Sequence, residues 1–272
     1  MTDQYAVFGN PIGHSKSPLI HQAFAKQTNQ PINYNAQLVA QDGFEAAADD
    51  FFATGGHGLN ITVPFKQQAF EYANTLSERA KCAGAVNTLA RQEDGSVLGD
   101  NTDGIGMVTD ITANLGWQIN AKRVLLLGAG GAVRGVLQPL LQQQPTSITI
   151  ANRTVDKARQ LAAEFSGLGS VSGCGFEELN GQAFDLIING TSASISGQLP
   201  PLSKELLAPG CGCYDMMYGN EPTVFMKWAT TNGAANVADG LGMLVEQAAE
   251  SFALWRGVRP GTEEVINQLR GQ

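Results

Sequence analysis

The chain has 272 residues, of which 43% are hydrophobic and 15% are charged, and its formal net charge is −8 at pH 7. This composition excludes a disordered chain and predicts a globular protein of roughly two domains. The acidic balance argues against nucleic acid and anionic membranes as partners. There is no basic segment followed by an apolar stretch at the N-terminus and no membrane-length apolar run, so we expect a cytoplasmic protein.

The four cysteines and three histidines do not have the spacing of a metal site. No C-x-x-C pair occurs, and the histidines do not accompany the cysteines. We therefore predict reduced thiols and no bound metal. Cys211 and Cys213 precede a predicted strand and are expected to be buried apolar residues.

The first hundred residues alternate strand and helix patterns. The predicted strands cover residues 5–8, 33–39, 59–63, 86–91 and 96–98, and the predicted helices cover residues 18–28 and 44–54. Ser17 is the expected N-cap of the first helix, and Pro18 lies in its first turn, where a missing N–H costs nothing. The last two strands form a hairpin around Glu93-Asp94-Gly95.

Ser15 and Ser17 stand just ahead of the first predicted helix. Free amides and the helix dipole favour an anion at such a position, which makes it a natural seat for a carboxylate. Simple capping of the helix explains Ser17 but does not explain Ser15.

Further polar residues follow the third predicted strand. Asn60 and Thr62 share one face of that strand. Lys66 falls just past its C-terminal end, where α/β sheets hold their ligands, and an ammonium there can polarise a carbonyl and pass a proton. Asp103 could orient Lys66 if the fold brings the two together. The alternatives are a solvated surface lysine and an aspartate that caps the next helix.

The segment from Arg123 to Gly135 has the pattern of a dinucleotide-binding turn. An apolar strand is followed at once by Gly128, Gly130 and Gly131 and then by a helix to about Gln143. The glycines let backbone amides approach a pyrophosphate at the helix N-terminus. The pattern alone is weak, because Val133 stands where the general fingerprint has its third glycine.

The next strand, predicted at Ser147–Ala151, is followed by Asn152-Arg153-Thr154. An enzyme that uses NAD has an acidic residue near this strand end, roughly 20 residues past the glycines. Here the residue is an arginine, which forms two-pronged hydrogen bonds to a phosphate. The sequence therefore favours NADP, with its 2′-phosphate, over NAD. Thr154 suits the N-cap of the following helix, and Lys157 lies within one turn.

Strands and helices alternate again through the second half, with predicted strands at 124–127, 147–151, 185–189, 213–216 and 235–238. This alternation predicts a parallel sheet with helices on both faces. Residues 241–255 and 262–270 are predicted helices. The expected fold is α/β: an N-terminal α/β substrate domain, a doubly wound Rossmann-type cofactor domain, and C-terminal helices packing back on the first domain.

Eight motifs, in register from end to end, make the chain resemble the bacterial, biosynthetic shikimate dehydrogenases. The motifs begin with Gly9-Asn-Pro-Ile-Gly-His-Ser-Lys-Ser-Pro18, Asn60-Ile-Thr-Val-Pro-Phe-Lys66, Gly84-Ala-Val-Asn-Thr88 and Asp100-Asn-Thr-Asp-Gly104. They continue with Gly128-Ala-Gly-Gly-Ala132, Asn152-Arg-Thr154, Tyr214-Asp-Met216 and Ala238-Asp-Gly-Leu-Gly-Met-Leu244. The family's glycine turn reads Gly-Ala-Gly-Gly-Ala, so Val133 is no obstacle.

The resemblance implies reversible, NADPH-dependent reduction of 3-dehydroshikimate to shikimate, a step towards aromatic amino acids. We expect a substrate-binding and catalytic domain at residues 1–103 and 241–272 and an NADP-binding domain at 104–240. The sequence leaves open whether the protein is a monomer or a homodimer. The substrate carboxylate would be held by Ser15 and Ser17, and the ring hydroxyls by Asn60, Thr62, Asn87 and Gln247. Lys66 and Asp103 would be the acid–base pair, with Tyr218 near the substrate. The implied cofactor residues are Gly128, Ala129, Gly130, Gly131, Ala132, Asn152, Arg153, Thr154, Lys157, Met216 and Gly240.

Two other functions compete with this interpretation. A quinate/shikimate dehydrogenase would accept quinate and often NAD, but Asn152-Arg153-Thr154 argues against an NAD site. A non-catalytic binding or regulatory protein on the same scaffold would have lost Lys66 or Asp103, and both are present.

Overall fold

The computed structural model describes residues 2–191, 193 and 197–271. It divides into two compact units. The first unit contains residues 1–106 and 245–272, and the second contains residues 107–244. Both units are α/β and the C-terminal residues belong to the first, which confirms the predicted fold class.

The first unit contains a six-stranded mixed sheet with the order β2-β1-β3-β5-β6-β4. Its strands are β1 (Asp3–Gly9), β2 (Ile32–Leu38), β3 (Gly56–Ile61), β4 (Thr75–Leu76), β5 (Thr88–Arg91) and β6 (Val97–Asp100). β1 runs parallel to β2 and β3, whereas β5 is antiparallel to β3 and β6. The predicted hairpin of β5 and β6 is confirmed, and its turn uses Gly95 at a positive φ of 85°.

Helices α1 to α4 accompany this sheet, α5 follows β6, and α9 and α10 end the chain. Their bounds are α1 (Ser17–Thr28), α2 (Phe44–Ala53), α3 (Lys66–Tyr72), α4 (Glu78–Ala83), α5 (Asp103–Thr109), α9 (Leu241–Arg256) and α10 (Glu263–Arg270). The core is aromatic and aliphatic, with Phe8, Phe44, Leu59, Phe65 and Leu89 all fully buried or nearly so. Residues 5–9 of β1 and 58–61 of β3 are buried in succession, so these central strands are covered on both faces.

The second unit contains a six-stranded sheet that is parallel throughout, with the order β12-β11-β10-β7-β8-β9. This is the doubly wound order of dinucleotide-binding folds, with β7 as the first strand. Its strands are β7 (Arg123–Leu127), β8 (Ser147–Ala151), β9 (Val171–Cys174), β10 (Phe184–Asn189), β11 (Leu207–Asp215) and β12 (Asn236–Ala238). Its helices after β7 are α6 (Gly131–Gln142), α7 (Val155–Phe165) and α8 (Val224–Thr231).

Some predicted elements differ from the structure. β9, α3, β4 and α4 are not predicted, because segments such as Val-Ser-Gly-Cys carry too few apolar residues to show a period. Cys211 and Cys213 lie within β11 rather than before it, since the strand begins at Leu207. Both are buried, as expected. All four cysteines fall in the described part of the chain, and each is a free thiol.

The residues described contain no group of three or more histidine, cysteine or acidic side chains placed to hold a metal ion. Over the same part of the chain, every helix is too short or too polar for a bilayer crossing.

Candidate functional site

The start of α1 places the two serines differently from the prediction. Ser17 is the first residue of the helix and not its N-cap, which is Lys16. The hydroxyl of Ser15 accepts the N–H of Ser17 at 3.3 Å, so Ser15 supplies the side-chain contact that the prediction gave to Ser17. Ser17 is 9% exposed, and both hydroxyls lie at the N-terminal end of a 12-residue helix. Such an end favours an anion.

The sequence predicts that Asn60 and Thr62 both lie in β3. This prediction is wrong for Thr62, because the strand ends at Ile61. Thr62 lies one residue beyond the strand and its N–H continues the pairing with the carbonyl of Phe8. Asn60 is buried, and its amide is held on both sides. Tyr34 donates to its Oδ1 at 2.7 Å, and its Nδ2 donates to Ser251 Oγ at 3.0 Å.

Lys66 begins α3, the helix that follows β3 after a short turn. Its Nζ lies 2.5 Å from Oδ2 of Asp103, the first residue of α5. The structure thus brings together an amine and a carboxylate that are 37 positions apart in the chain. The side chains are 31% and 21% exposed, so both groups remain accessible to a small molecule.

Asn87 connects this pair to the C-terminal helix α9. Its Nδ2 donates to Asp103 Oδ1 at 2.8 Å and lies 3.3 Å from Gln247 Oε1. Its Oδ1 accepts the backbone N–H of Thr102 at 2.9 Å. Asn87 therefore fixes the free oxygen of Asp103 while Lys66 holds the other, so that the carboxylate has a single orientation.

Three buried hydroxyls complete this cluster and were missed by the sequence reasoning: Thr88, Thr102 and Ser251. Ser251 Oγ lies 2.7 Å from Thr88 Oγ1 and 3.3 Å from Thr102 Oγ1, and it donates to the backbone carbonyl of Gln247 at 3.0 Å. All three side chains are fully buried. Thr88 and Thr102 stand inside quoted motifs, but nothing in the local sequence around Ser251 marks it, since its partners are distant in the chain.

In the second unit, the glycine turn joins β7 to α6. Gly128 has a φ of 104°, a left-handed conformation that favours glycine. Gly130 is the N-cap of α6, and no side chain caps the first backbone amides of this helix. A Cβ added at Gly130 or Gly131 would meet nothing within 4 Å. Together with the exposed Ala132, these residues leave open space in front of a 12-residue helix.

Arg153 lies exposed just after β8, and Thr154 is the N-cap of α7, as predicted. Within the described residues no carboxylate pairs with Arg153 or with Lys157, which lies in the first turn of α7. Nearby cations differ, because Arg134 pairs with Glu164 and Arg159 with Glu178. Asn152 donates from Nδ2 to the carbonyl of Thr154 at 2.9 Å and so shapes the loop.

Met216 and Gly240 meet closely in the second unit. A Cβ added at Gly240 would lie 2.3 Å from the carbonyl oxygen of Met216, so no larger residue fits without a shift of the backbone. Met216 is partly buried at the end of β11, and its N–H donates to the carbonyl of Asn189. Tyr218, two residues further on, is 39% exposed.

The predicted residues thus fall into two groups, each within one unit. The first unit holds Ser15, Ser17, Asn60, Thr62, Lys66, Asn87, Asp103 and Gln247. The second unit holds the glycine turn, the Asn152–Thr154 loop, Lys157, Met216, Tyr218 and Gly240. A doubly wound sheet with an open glycine turn, in a chain that also carries an amine–carboxylate pair, is typical of the nucleotide-dependent oxidoreductases.

Comparison with known proteins defines the family. Three family models match in chain order: the shikimate dehydrogenase substrate binding domain over residues 7–89, shikimate / quinate 5-dehydrogenase over residues 110–196, and the shikimate 5′-dehydrogenase C-terminal domain over residues 240–270. A protein of Cellvibrio japonicus named shikimate dehydrogenase (NADP(+)) is 63% identical over 272 residues, which cover 100% of this chain and 98% of that protein. This chain belongs to the shikimate dehydrogenase family.

Solved structures agree with the family. The Ael1 enzyme of Pseudomonas putida is 50% identical and superposes with a TM-score of 0.94, with 98% of each chain covered. A shikimate 5-dehydrogenase of Thermus thermophilus, solved in complex with NADP(H) and shikimate, is 29% identical with a TM-score of 0.87 over 99% of each chain.

Proposed function

We propose that this chain is an NADP-dependent shikimate dehydrogenase, which reduces 3-dehydroshikimate to shikimate reversibly in aromatic amino acid biosynthesis. The observation that carries the proposal is the 2.5 Å contact between Lys66 and Asp103. A protein of this family that only bound its ligand would have no need of a paired amine and carboxylate that both stay partly open. The names of the relatives and the NADP(H) and shikimate complex of a relative support the same activity.

The second unit is proposed to bind NADP. The fit rests on the open space at Gly130 and Gly131, on the uncapped N-terminus of α6, and on the exposed Arg153. The amides of the turn suit the pyrophosphate, and the guanidinium of Arg153, supported by Lys157, suits the 2′-phosphate. Asn152 and Thr154 shape that loop, and Met216 and Gly240 would border the nicotinamide. When bound, NADPH supplies the hydride.

The first unit is proposed to bind the substrate. Ser15 and Ser17, at the N-terminus of α1, would donate to the carboxylate, whose charge the helix end favours. Asn60, Thr62, Asn87 and Gln247 would face the ring hydroxyls, and Tyr218 of the second unit is a further proposed substrate contact. Asn60 and Asn87 already have protein partners, and those bonds hold their amides in fixed orientations.

Carbonyl reduction adds a hydride to carbon and a proton to oxygen, and we assign the proton to the Lys66–Asp103 pair. The ammonium of Lys66 would donate a hydrogen bond to the reacting oxygen and then its proton. Asp103 would hold that ammonium in place and orient a neighbouring hydroxyl of the substrate. In the oxidation direction the neutral amine would take the proton back. The developing alkoxide is stabilised by a charge that is already positioned, so little reorganisation is needed.

Cofactor consumption tests the activity directly. Absorbance at the nicotinamide wavelength is followed after adding 3-dehydroshikimate with NADPH or NADH, and in reverse after adding shikimate or quinate with NADP+ or NAD+. We expect reduction with NADPH to be much faster than with NADH, and oxidation of shikimate by NADP+ to be much faster than oxidation of quinate or oxidation by NAD+. Equal rates with quinate and NAD would instead identify the quinate/shikimate enzyme, and no turnover with any pair would identify a binding protein.

The assembly and the cellular site are further proposals. Four free thiols, three of them buried, suit a reducing compartment, so we propose a cytoplasmic protein. We propose a monomer or a homodimer, which light scattering during size-exclusion chromatography distinguishes by mass.

A further inference from the structure

The carboxylate of Asp100 lies at the end of β6, three residues before Asp103, and takes no direct part in the proposed chemistry. It is 2% exposed. Arg79, on α4, grips it with two hydrogen bonds, from Nε to Oδ1 at 2.7 Å and from Nη2 to Oδ2 at 2.5 Å. Ser77, the N-cap of α4, donates to the same Oδ1. Two parallel hydrogen bonds from an arginine hold a buried aspartate in a single orientation.

A short series of hydrogen bonds runs from this pair to Asp103. Oδ1 of Asp100 accepts the backbone N–H of Asn101 at 2.7 Å. The side-chain oxygen of Asn101 in turn accepts the backbone N–H of Asp103 at 3.2 Å, at the first residue of α5. Nδ2 of Asn101 donates to the carbonyl of Ala85 at 3.0 Å, which ties the same turn to the segment that carries Asn87. The backbone beneath Asp103 is therefore held from both sides.

The charge of Arg79 explains why these hydrogen bonds from Asp100 to Asp103 depend on it. Burial favours the neutral form of Asp100, but the hydrogen bonds and charge of Arg79 hold the pKa of Asp100 below its ordinary value. Without Arg79, a buried carboxylate would be left without its counter-charge, and the turn would open to let water reach it. Asp103 would then move with the turn, away from its position against Lys66.

We propose that Arg79 and Asp100 form a positioning pair for the reaction: acting through Asn101, they hold Asp103 at the distance and angle that Lys66 requires. The inference rests on the proposed function, because it gives the Lys66–Asp103 pair its acid–base role. A displacement of about 1 Å at a reacting group can cost on the order of a hundredfold in rate. The pair would thus control turnover without touching substrate or cofactor.

Arg79 also belongs to a larger ion-pair network, which provides a matched control. Its Nη1 contacts Glu250 Oε1 at 3.0 Å, and Arg259 contacts the other oxygen of Glu250 at 2.5 Å. Arg259 also pairs with the buried Glu246. Arg259→Gln therefore removes a charge from the same network and the same unit, but it leaves the hydrogen bonds from Asp100 to Asp103 in place.

The experiment compares Arg79→Gln, Arg79→Lys and Arg259→Gln with the parent chain for kcat, KM, the pH profile of kcat and thermal stability. We expect Arg79→Gln to lower kcat between about tenfold and a hundredfold, with the KM for NADPH nearly unchanged and the pH profile shifted. Arg79→Lys should restore part of the loss, because it keeps the charge but not the two-pronged geometry. Arg259→Gln should keep kcat within about twofold even if it loses stability.

The inference is overturned if the kcat of folded Arg79→Gln stays within about twofold of the parent, or falls no further than that of Arg259→Gln at equal stability. If Arg79→Gln does not fold, Asn101→Ala decides, since it cuts the last link to Asp103 and leaves no buried charge unpaired; an unchanged kcat there is equally decisive against it. Lys66→Ala is measured alongside. If Lys66→Ala keeps the kcat of the parent, the acid–base proposal itself is overturned. If Lys66→Ala loses kcat while the Arg79 variants keep it, only the proposal of a positioning pair is overturned.

Discussion

The substrate side and the cofactor side of this chain are built in opposite ways. Around Lys66 and Asp103, polar side chains from distant segments are buried and hydrogen-bonded to one another, as Asn87 and Ser251 show. At the glycine turn the polar groups are backbone amides, and the neighbouring side chains are small or absent. Arg153, just after the neighbouring strand β8, is exposed and makes no ion pair within the described residues, whereas Arg134 in α6 pairs with Glu164.

This difference follows from what each region is proposed to recognise. A pyrophosphate is a large anion that any helix N-terminus with free amides can bind, so the turn needs space more than particular side chains. A ring acid with several hydroxyls is distinguished from its relatives by a few hydrogen bonds in fixed places. Fixed donors require partners of their own, which explains why the first unit contains so many hydrogen bonds between side chains.

Removal of the Lys66 amine should have the largest effect of any single substitution on either side. Lys66→Ala should lower kcat by about 10²–10⁴, the usual contribution of general acid–base catalysis, while the Kd for shikimate changes little. Steady-state kinetics and equilibrium titration measure the two quantities. Lys81→Ala is the control, since that lysine is more exposed and pairs with Glu78 on its own helix. A kcat near that of the parent would reject the assignment.

The cofactor side should respond to reversal of the charge on Arg153. Arg153→Asp should weaken NADPH binding by about ten- to a hundredfold, because it replaces a charge-assisted partner with a repelling one, and should barely change NADH binding. Fluorescence titration with each cofactor measures both. Arg159→Asp, a change of the same charge on a cation paired with Glu178, is the matched control. If NADH and NADPH lose affinity equally, Arg153 does not bind the 2′-phosphate.

The two regions also differ in how far the sequence predicts them. The glycine turn, the strand before it and Arg153 are close in sequence, so local pattern predicts both the geometry and the ligand. Around Lys66, each motif can be interpreted alone as a surface lysine, a cap or a turn. Only the mixed sheet order, which places β3 beside β5 and β5 beside β6, brings Asn87 and Asp103 to Lys66.

The residues that the sequence did not predict correctly also depend on contacts that local patterns do not show. Ser251 lies inside the largely buried helix α9, where a lone serine looks like an ordinary helical residue, and its partner Thr88 is 163 positions away. The Ser17 cap was wrong because the helix begins one residue earlier than its proline suggests, which passes the capping contact to Ser15. Helix ends and distant hydrogen bonds depend on the folded backbone, which local patterns do not contain.

Close backbone packing, and not only open space, should matter on the cofactor side. Gly240→Ala would place a Cβ 2.3 Å from the carbonyl oxygen of Met216, a backbone atom that cannot swing away. We expect a loss of about 1–3 kcal/mol in the free energy of unfolding, with weaker NADPH binding and an unchanged Kd for shikimate. Gly167→Ala is the control, since its added methyl meets nothing within 4 Å. Equal stability of the two variants in urea would show that the second unit relaxes at no cost.

A buried histidine lies in the core of the first unit, beside Tyr34. His21 is fully buried and stacks on Tyr34 at a centroid distance of 4.2 Å. Neither ring nitrogen has a hydrogen-bond partner within 3.5 Å among the described residues, and the side chain of Asn60 opposes the effect of burial on the ring only in part. Burial lowers the pKa of His21 to about 3. In the unfolded chain this histidine binds a proton near pH 6.5, whereas in the folded chain it stays neutral at that pH. The free energy of unfolding should therefore fall as the pH drops below about 6.5.

Between pH 6.5 and pH 5 this histidine should reduce the free energy of unfolding by up to about 2 kcal/mol, and His21→Phe should remove that part of the pH dependence. Urea unfolding of both proteins across this range measures it, with the exposed His14→Gln as the control. At pH 8 the phenylalanine variant should be at least as stable as the parent, because it no longer buries two unpaired nitrogens. If the free energy of unfolding of His21→Phe changes with pH as steeply as that of the parent, then His21 is not held as a buried neutral ring in the folded chain.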